Sequence, residues 1–472
     1  MSATPHGARS LPAVPNLEQQ KKQARELLVS ARAKDPVALQ RFRSGHPRIA
    51  AWSEAEWLAW SPANLTLSDA QLVLAREYGF SSWPRLKAHI DEVTAAHRTH
   101  PLEREVEYYD DRAHGLLEVL GDGAAATIAQ VRAWHPAFLE APDEAIRDAA
   151  ASGRFTIDDA RLVYAREHGW PDWDRFVAHL RTLQQGKVHE PFLELLEAGK
   201  RRDWPRVQSL LAKHPGLVRA RGTNGNSLLN LAAGLLCSSD GEARGRSAQD
   251  SVESRRLDPM RLLLAAGGDP NQPNDRGWTP LHQAAYGNDT AMISLLLGAG
   301  ADPRREAHGS GGTPLAVGLF WGYREAPDRL AAVEVVPVNL RVAAGLGRVD
   351  LLEQCFDDGT LKPEAGAARG FYRPHSGFPR WNQTGSREEI LDEALVWAAK
   401  ADRVEAMAAL VPRGARVDAD PYRGTPLIWA AANGRLDAVR WLLDHGAPVN
   451  QRATFGGPGH GDGVTALHLA AQ

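Results

Sequence analysis

The sequence predicts an all-α fold made of stacked helix pairs, and three observations predict it. One pattern recurs through residues 226–472: a Leu, small residues three and four positions on, and a turn residue at the seventh. Apolar side chains between these marks repeat at helical spacing, one stripe per short helix. Two stretches nearer the N-terminus, 66–90 and 156–180, are identical at 13 of their 25 positions, so the first half is also built from copies.

Residues 1–16 are Ala- and Pro-rich and are read as a disordered tail without the apolar segment of a secretory leader. Residues 17–186 are read as a duplicated helical region in units of about 90 residues. Residues 17–45 are expected to be helical with a break at Asp35-Pro36, because Pro suits a first helical turn. Ala24, Leu27, Leu28 and Ala31 give the first helix its apolar stripe, and a Trp-rich connector (Trp52, Trp57, Trp60) follows His46-Pro47. His135-Pro136 is the second copy of that dipeptide. Asp69 and Asp159 stand where a carboxylate is favoured by the exposed N–H groups of a helix start. Trp83 and Trp173 then open a second helix, and each copy reads as a degenerate, Trp-anchored helix pair in line with the later repeats. The Arg76-Glu77-Tyr78 run is taken as a structural salt bridge beside a core aromatic, since adjacent helical residues point in different directions. Residues 190–222 add a third such element, again ending in His-Pro at His214-Pro215.

Residues 187–472 carry the clearest copies. In Gly277-Trp278-Thr279-Pro280-Leu281-His282-Gln283-Ala284-Ala285, Gly277 supplies positive φ, Thr279 caps, and Pro280 fits the first turn. Asn288 turns the chain, and a second helix through Met292, Leu295 and Leu296 ends at Gly300-Ala301-Asp302-Pro303. The same register starts at Leu229, Leu315, Leu340, Leu395, Leu427 and Leu467, seven copies in all, with Leu315 the divergent one. A unit of roughly 33 residues cannot bury its own apolar faces and must stack. This stretch resembles the ankyrin-repeat family, through Thr-Pro-Leu-His, Ala-Ala and Gly-Ala-Asp-Pro in that order. The resemblance implies an ankyrin-repeat solenoid with a degenerate helical-repeat N-terminal half, and a rigid face for binding a protein partner.

Three insertions interrupt the array. Residues 237–256 are polar and lie between the two helices of one repeat, as a surface loop. Residues 359–388 and 451–463 lie between repeats, where the family places the fingers that line its concave face. The first of these holds Phe371, Tyr372, Arg373, His375, Phe378, Arg380 and Trp381, a composition typical of interface hot spots. These seven are the candidate partner-binding residues. Packing between neighbouring repeats is the competing role for their aromatic rings. The chain stops inside a first helix at Ala470-Ala471-Gln472. The expectation is a shortened product or a last face covered by another chain, with self-association through that uncapped end.

Bulk properties narrow the function. With 43% hydrophobic and 24% charged residues the composition is that of a soluble chain. A net charge of −3 gives no reason to expect nucleic acid, whose binders carry a basic face. No apolar run approaches the length of about 18 residues that spans a bilayer. Cys237 and Cys355 are the only cysteines, which fits a reducing cytoplasm and excludes a disulfide framework. Arg outnumbers Lys, which counts nine among 55 basic residues, a bias consistent with a GC-rich coding sequence.

No phosphate-binding Gly-rich loop with its Lys is present, nor His-Glu-x-x-His, nor Gly-x-Ser-x-Gly. His282 and His468 are read as hydrogen-bonding repeat residues, and His375 with His460 do not specify a metal. The reading is a non-catalytic cytoplasmic interaction scaffold without cofactor or metal, binding protein rather than nucleic acid or membrane. A second reading has the aromatic finger bind a small molecule or carbohydrate, with hydrolysis if acidic pairs converge on His375 in a deep pocket.

Overall fold

The structure, a computed structural model, describes residues 16–87, 90, 99–121, 125–139, 141–237, 256–333, 336–368, 384–421, 424–453 and 463–471. It divides into two compact units, one of Met1–Phe192 with Arg219–Arg221, the other of Leu193–Val218 with Gly222–Gln472.

The first unit contains the duplication. Helices Leu17–Arg32, Pro36–Gly45, Pro47–Ala50, Glu54–Ala59 and Leu67–Glu77 make up most of one copy. Helices Val106–Gly121, Ala125–Trp134, Asp143–Ala151, Ile157–Glu167 and Trp173–Gln184 form the other, with a 3₁₀ turn at Pro136–Phe138. Each copy has its own core, around Leu27, Phe42 and Val73 in the first and Leu116, Ile146 and Val163 in the second. A copy is therefore a multi-helix module rather than the helix pair expected from its most similar stretch. The reason is that the long helix opening each copy packs on the Thr-x-x-Asp helix about 50 residues later.

The two His-Pro dipeptides have one job. His46 Nδ1 accepts the Ile49 N–H at 3.4 Å and His135 Nδ1 accepts the Ala137 N–H at 3.2 Å. Their Nε2 atoms each lie 3.1 Å from a carboxylate, Asp69 in one copy and Asp159 in the other. The second oxygen of Asp69 accepts the N–H and hydroxyl of Thr66, and that of Asp159 does the same with Thr156. One carboxylate thus closes a helix cap and anchors the preceding turn. Burial opposes its charge, but the Thr and His hydrogen bonds outweigh burial and hold both carboxyls below their ordinary range. Glu77 pairs bidentately with Arg41 of a neighbouring helix, at 2.7 and 2.8 Å, so the salt bridge expected at this run draws its cation from elsewhere in the fold. The second copy puts Gln130 against Glu167, 3.0 Å apart, in the same place.

In the second unit all seven first helices form: Leu228–Leu236, Pro280–Tyr286, Pro314–Phe320, Leu340–Leu346, Arg387–Lys400, Pro426–Ala432 and Ala466–Ala470. The second helices are Asp258–Ala265, Thr290–Gly298, Glu325–Ala331, Val349–Gln354, Val404–Leu410 and Leu436–Asp444. Each first helix packs on the next, and Pro314–Phe320 touches both Leu340–Leu346 and Arg387–Lys400. The turn residues knit the repeats together. Asn288 has φ +51° and accepts the Ala326 N–H at 3.0 Å. Asp402 has φ +59° and accepts the Ala438 N–H at 2.8 Å. In both cases the left-handed turn of one repeat satisfies a first-turn donor in the second helix of another.

The insertion placed at 359–388 begins inside a β-hairpin, with Phe356–Asp357 antiparallel to Thr360–Leu361. Asp358-Gly359, at φ +45° and +76°, makes the two-residue turn that such a dipeptide favours. Of the other insertions, 238–255 and 454–462 lie outside the described residues. The ends of the last are joined where Ala453 N–H donates to Val464 at 2.8 Å.

Gly277 sits at φ +81°, and a Cβ there would lie 2.7 Å from the Glu306 carbonyl oxygen. Gly277→Ala should therefore cost about 1–3 kcal/mol, from left-handed strain and the close backbone contact. A shift of the urea midpoint monitored by helicity reads this, and an unchanged midpoint would contradict it.

Candidate partner-binding face

The position after the Ala-Ala pair of each first helix lies five residues beyond its leading Leu. Here stand Tyr286, Phe320, Gly345, Lys400 and Ala432 in successive repeats. Aromatic rings form an edge-to-face row across this face. Trp278 meets Tyr286 at 6.2 Å, Tyr286 meets Trp321 at 5.5 Å, and Phe320 lies 5.5 Å from Trp321 and 6.4 Å from Trp397. Tyr286 is 44% exposed and Trp321 42%, on adjacent repeats. Trp278 is steadied where its Nε1 donates to Gln283 Oε1 at 2.6 Å.

Beside this row the face turns inward around Lys400. Its Nζ donates to the Phe320 carbonyl at 2.9 Å and lies 4.4 Å from the centre of the Phe320 ring and 4.1 Å from that of Trp429. Lys400 is 2% exposed, and burial pushes its amine down to about 7. The two ring faces and the carbonyl act the other way and favour the ammonium. Trp397 is fully buried because Gly345 leaves it room: a Cβ at Gly345 would stand 3.3 Å from the indole.

One turn away, Arg341 takes the place held by His282 in its own repeat. It is 1% exposed and pairs with fully buried Glu393 at 3.3 Å. Its Nη2 donates to the carbonyls of Ala367, at 2.7 Å, and Ala368. This fixes the backbone at Ala367 and Ala368.

His282 behaves as the repeat register implies. Its Nδ1 meets the Thr279 hydroxyl at 2.8 Å and its Nε2 the Gly312 carbonyl at 2.9 Å. Burial pushes its pKa down to about 4, so it is neutral at physiological pH. His468 makes the same contact with Thr465 at 2.8 Å. Burial pushes the thiols up, to about 12 for Cys237 and about 11 for Cys355, and both are enclosed. Among the described residues no group of three or more His, Cys, Asp or Glu is placed to hold a metal, and no helix is long and apolar enough to cross a membrane.

Phe371, Tyr372, Arg373, His375, Phe378, Arg380 and Trp381 lie outside the described residues, as does His460. Lys400 and Arg341 were not among the residues singled out from sequence. The available signal was positional: a cation directly after Ala398-Ala399, and an Arg in the His place after Leu340.

A family model described as Ankyrin repeats (3 copies) matches residues 250–335 and 381–453. The RelA-associated inhibitor of Mus musculus is 52% identical over 40 residues, 8% of this chain and 5% of that protein. The 2-5A-dependent ribonuclease of Mus musculus is 41% identical over 59 residues, 12% of this chain and 8% of that protein. The chain thus spans less than a tenth of the length of either relative. The crystal structure of the human ASB11 ankyrin repeat domain is 21% identical, covering 58% of this chain and 90% of its own, with a TM-score of 0.29. Repeats of this kind generally mediate protein–protein interaction. Motifs, helices and the family model agree that residues 250–335 and 381–453 of this chain are ankyrin repeats.

Proposed function

We propose that the chain is a non-catalytic cytoplasmic scaffold that binds a protein partner on the face formed by its first helices and fingers. The observation that carries this reading is the Tyr286–Trp321 pair, two large aromatic rings nearly half exposed on neighbouring repeats. Such rings offer contact area at small entropic cost on a scaffold already ordered before binding. In this reading Phe371, Tyr372, Arg373, His375, Phe378, Arg380 and Trp381 add to the partner-binding surface.

The test compares three chains against a partner recovered from source-cell lysate: the intact protein, Tyr286→Ala/Trp321→Ala, and one lacking 371–381. Each truncated aromatic should cost about 1–2 kcal/mol of binding, roughly five- to thirtyfold in Kd. The deletion should weaken binding at unchanged helicity. Equal retention by all three chains would refute the assignment of this face.

A further inference from the structure

A cleft of about 560 Å³ opens in the second copy of the first unit, among helices Val106–Gly121, Ile157–Glu167 and Trp173–Gln184. Val106, Val177 and Trp173 supply its apolar lining, while exposed Glu107, Asp174 and Arg181 supply its outer charges. Asp110 and Arg161 also line it but neutralise one another. Arg161 Nε lies 2.7 Å from Asp110 Oδ1, with Asp158 at 3.1 Å and the Trp173 ring 5.9 Å away. That hydrogen bond holds the Asp110 carboxyl below its ordinary range. Among the described residues the side chains of Glu107, Asp174 and Arg181 make no hydrogen bond or ion pair.

The first copy is an internal control. Its opening helix, Leu17–Arg32, has the same length as Val106–Gly121, and its buried positions Ala24, Leu27 and Ala31 match Ala113, Leu116 and Leu120. On that register Leu17 replaces Val106 and Lys21 replaces Asp110. In the stretch matched at an offset of 90, Gln71 replaces Arg161 and Lys87 replaces Val177, while the Trp is kept as Trp83. Leu17 packs on Ala75, Leu86 and Ile90 beside Trp83, and Lys21 turns away to Glu18 at 2.7 Å. The caps, His–Asp pairs and Trp that build the module are common to both copies. Glu107 has its equivalent in Glu18, whereas Val106, Asp110, Arg161, Asp174 and Val177 differ between the copies and are therefore not what the shared module needs in order to fold.

We propose that this cleft binds a small zwitterion of the α-amino-acid class. The ammonium is taken by the Glu107 and Asp174 carboxylates, the carboxylate by the Arg181 guanidinium, and an apolar side chain by Val106, Val177 and Trp173. A guanidinium offers a carboxylate two parallel donors, and carboxylates at an exposed rim receive an ammonium without a buried-charge penalty.

The experiment is calorimetric titration of the full chain with phenylalanine, N-acetylphenylalanine and phenethylamine, the last two lacking ammonium and carboxylate respectively. Phenylalanine should bind saturably at one site, and each analogue at least about tenfold more weakly, the weight of one charge-assisted contact. Arg181→Gln and Glu107→Gln, both at exposed positions, should each weaken phenylalanine by about tenfold with helicity unchanged. Absence of saturable binding by phenylalanine, phenethylamine binding as tightly as phenylalanine, or binding indifferent to Arg181→Gln would each overturn the proposal.

Discussion

Replacing Arg341 with Met should destabilise the second unit by about 3–5 kcal/mol, the cost of leaving a buried carboxylate without its cation. Glu393 is fully buried, and Arg341 is the guanidinium facing it at 3.3 Å. The same side chain satisfies the Ala367 and Ala368 carbonyls, so its loss also leaves these two backbone groups without that donor. The pair joins helices Leu340–Leu346 and Arg387–Lys400, which pack more extensively on one another than other helices of the array. The measurement is the urea midpoint and slope by circular dichroism. Arg341→Met/Glu393→Met should recover most of the loss, because removing both charges also removes their desolvation. A single mutant within about 1 kcal/mol of the native chain would show that Glu393 does not depend on this cation.

Replacing Lys400 with Met should do the opposite near neutral pH. Burial lowers the amine from 10.5 in the unfolded chain to about 7 in the folded one. The folded state then binds fewer protons, so stability rises with pH across that interval. Below about 7 the folded chain bears the whole penalty, on the order of 5 kcal/mol less what the two ring faces and the Phe320 carbonyl return. Between about 7 and 10.5 the penalty shrinks, and above 10.5 it is gone. Lys400→Met keeps the volume and lacks the charge. It should exceed the native chain in stability at about pH 6.5, with the gap closing by about pH 10. A gap independent of pH would mean that the rings keep the ammonium charged throughout.

Local chemistry was legible in the sequence because it is carried by short-range partners. Thr66 with Asp69, Asn288 in its left-handed turn and Thr279 with His282 each need only a few neighbouring residues to declare their role. The repeats were legible because a period survives even where single copies diverge. What could not be read was the environment of Lys400, made by Phe320, 80 residues earlier, and by Trp429. The partner of Arg341 lies 52 residues away across an insertion. Nothing local distinguishes a buried cation from a solvated one, since long basic side chains are usually exposed. The hairpin at Asp358-Gly359 could have been read, because its turn dipeptide is a short-range signal. The Arg bias, attributed to coding composition, has a structural counterpart. Arg341, Arg387, Arg403, Arg413 and Arg435 each bridge to carbonyls, a task for which a planar, multi-donor head is suited.

Arg435 carries that device furthest. From the start of the Leu436–Asp444 helix its guanidinium donates to the carbonyls of Lys400, at 2.8 Å, and of Gly322. Those two carbonyls belong to separate repeats, and the repeat of Leu340–Gln354 lies between them in the chain. A linear array of this type ordinarily frays from its end one unit at a time, each step felt only by the next unit. Here peeling away the Pro426–Asp444 repeat strips two others of a donor at once. That repeat is thus latched to more than its immediate neighbour, and its release is felt in two other units together.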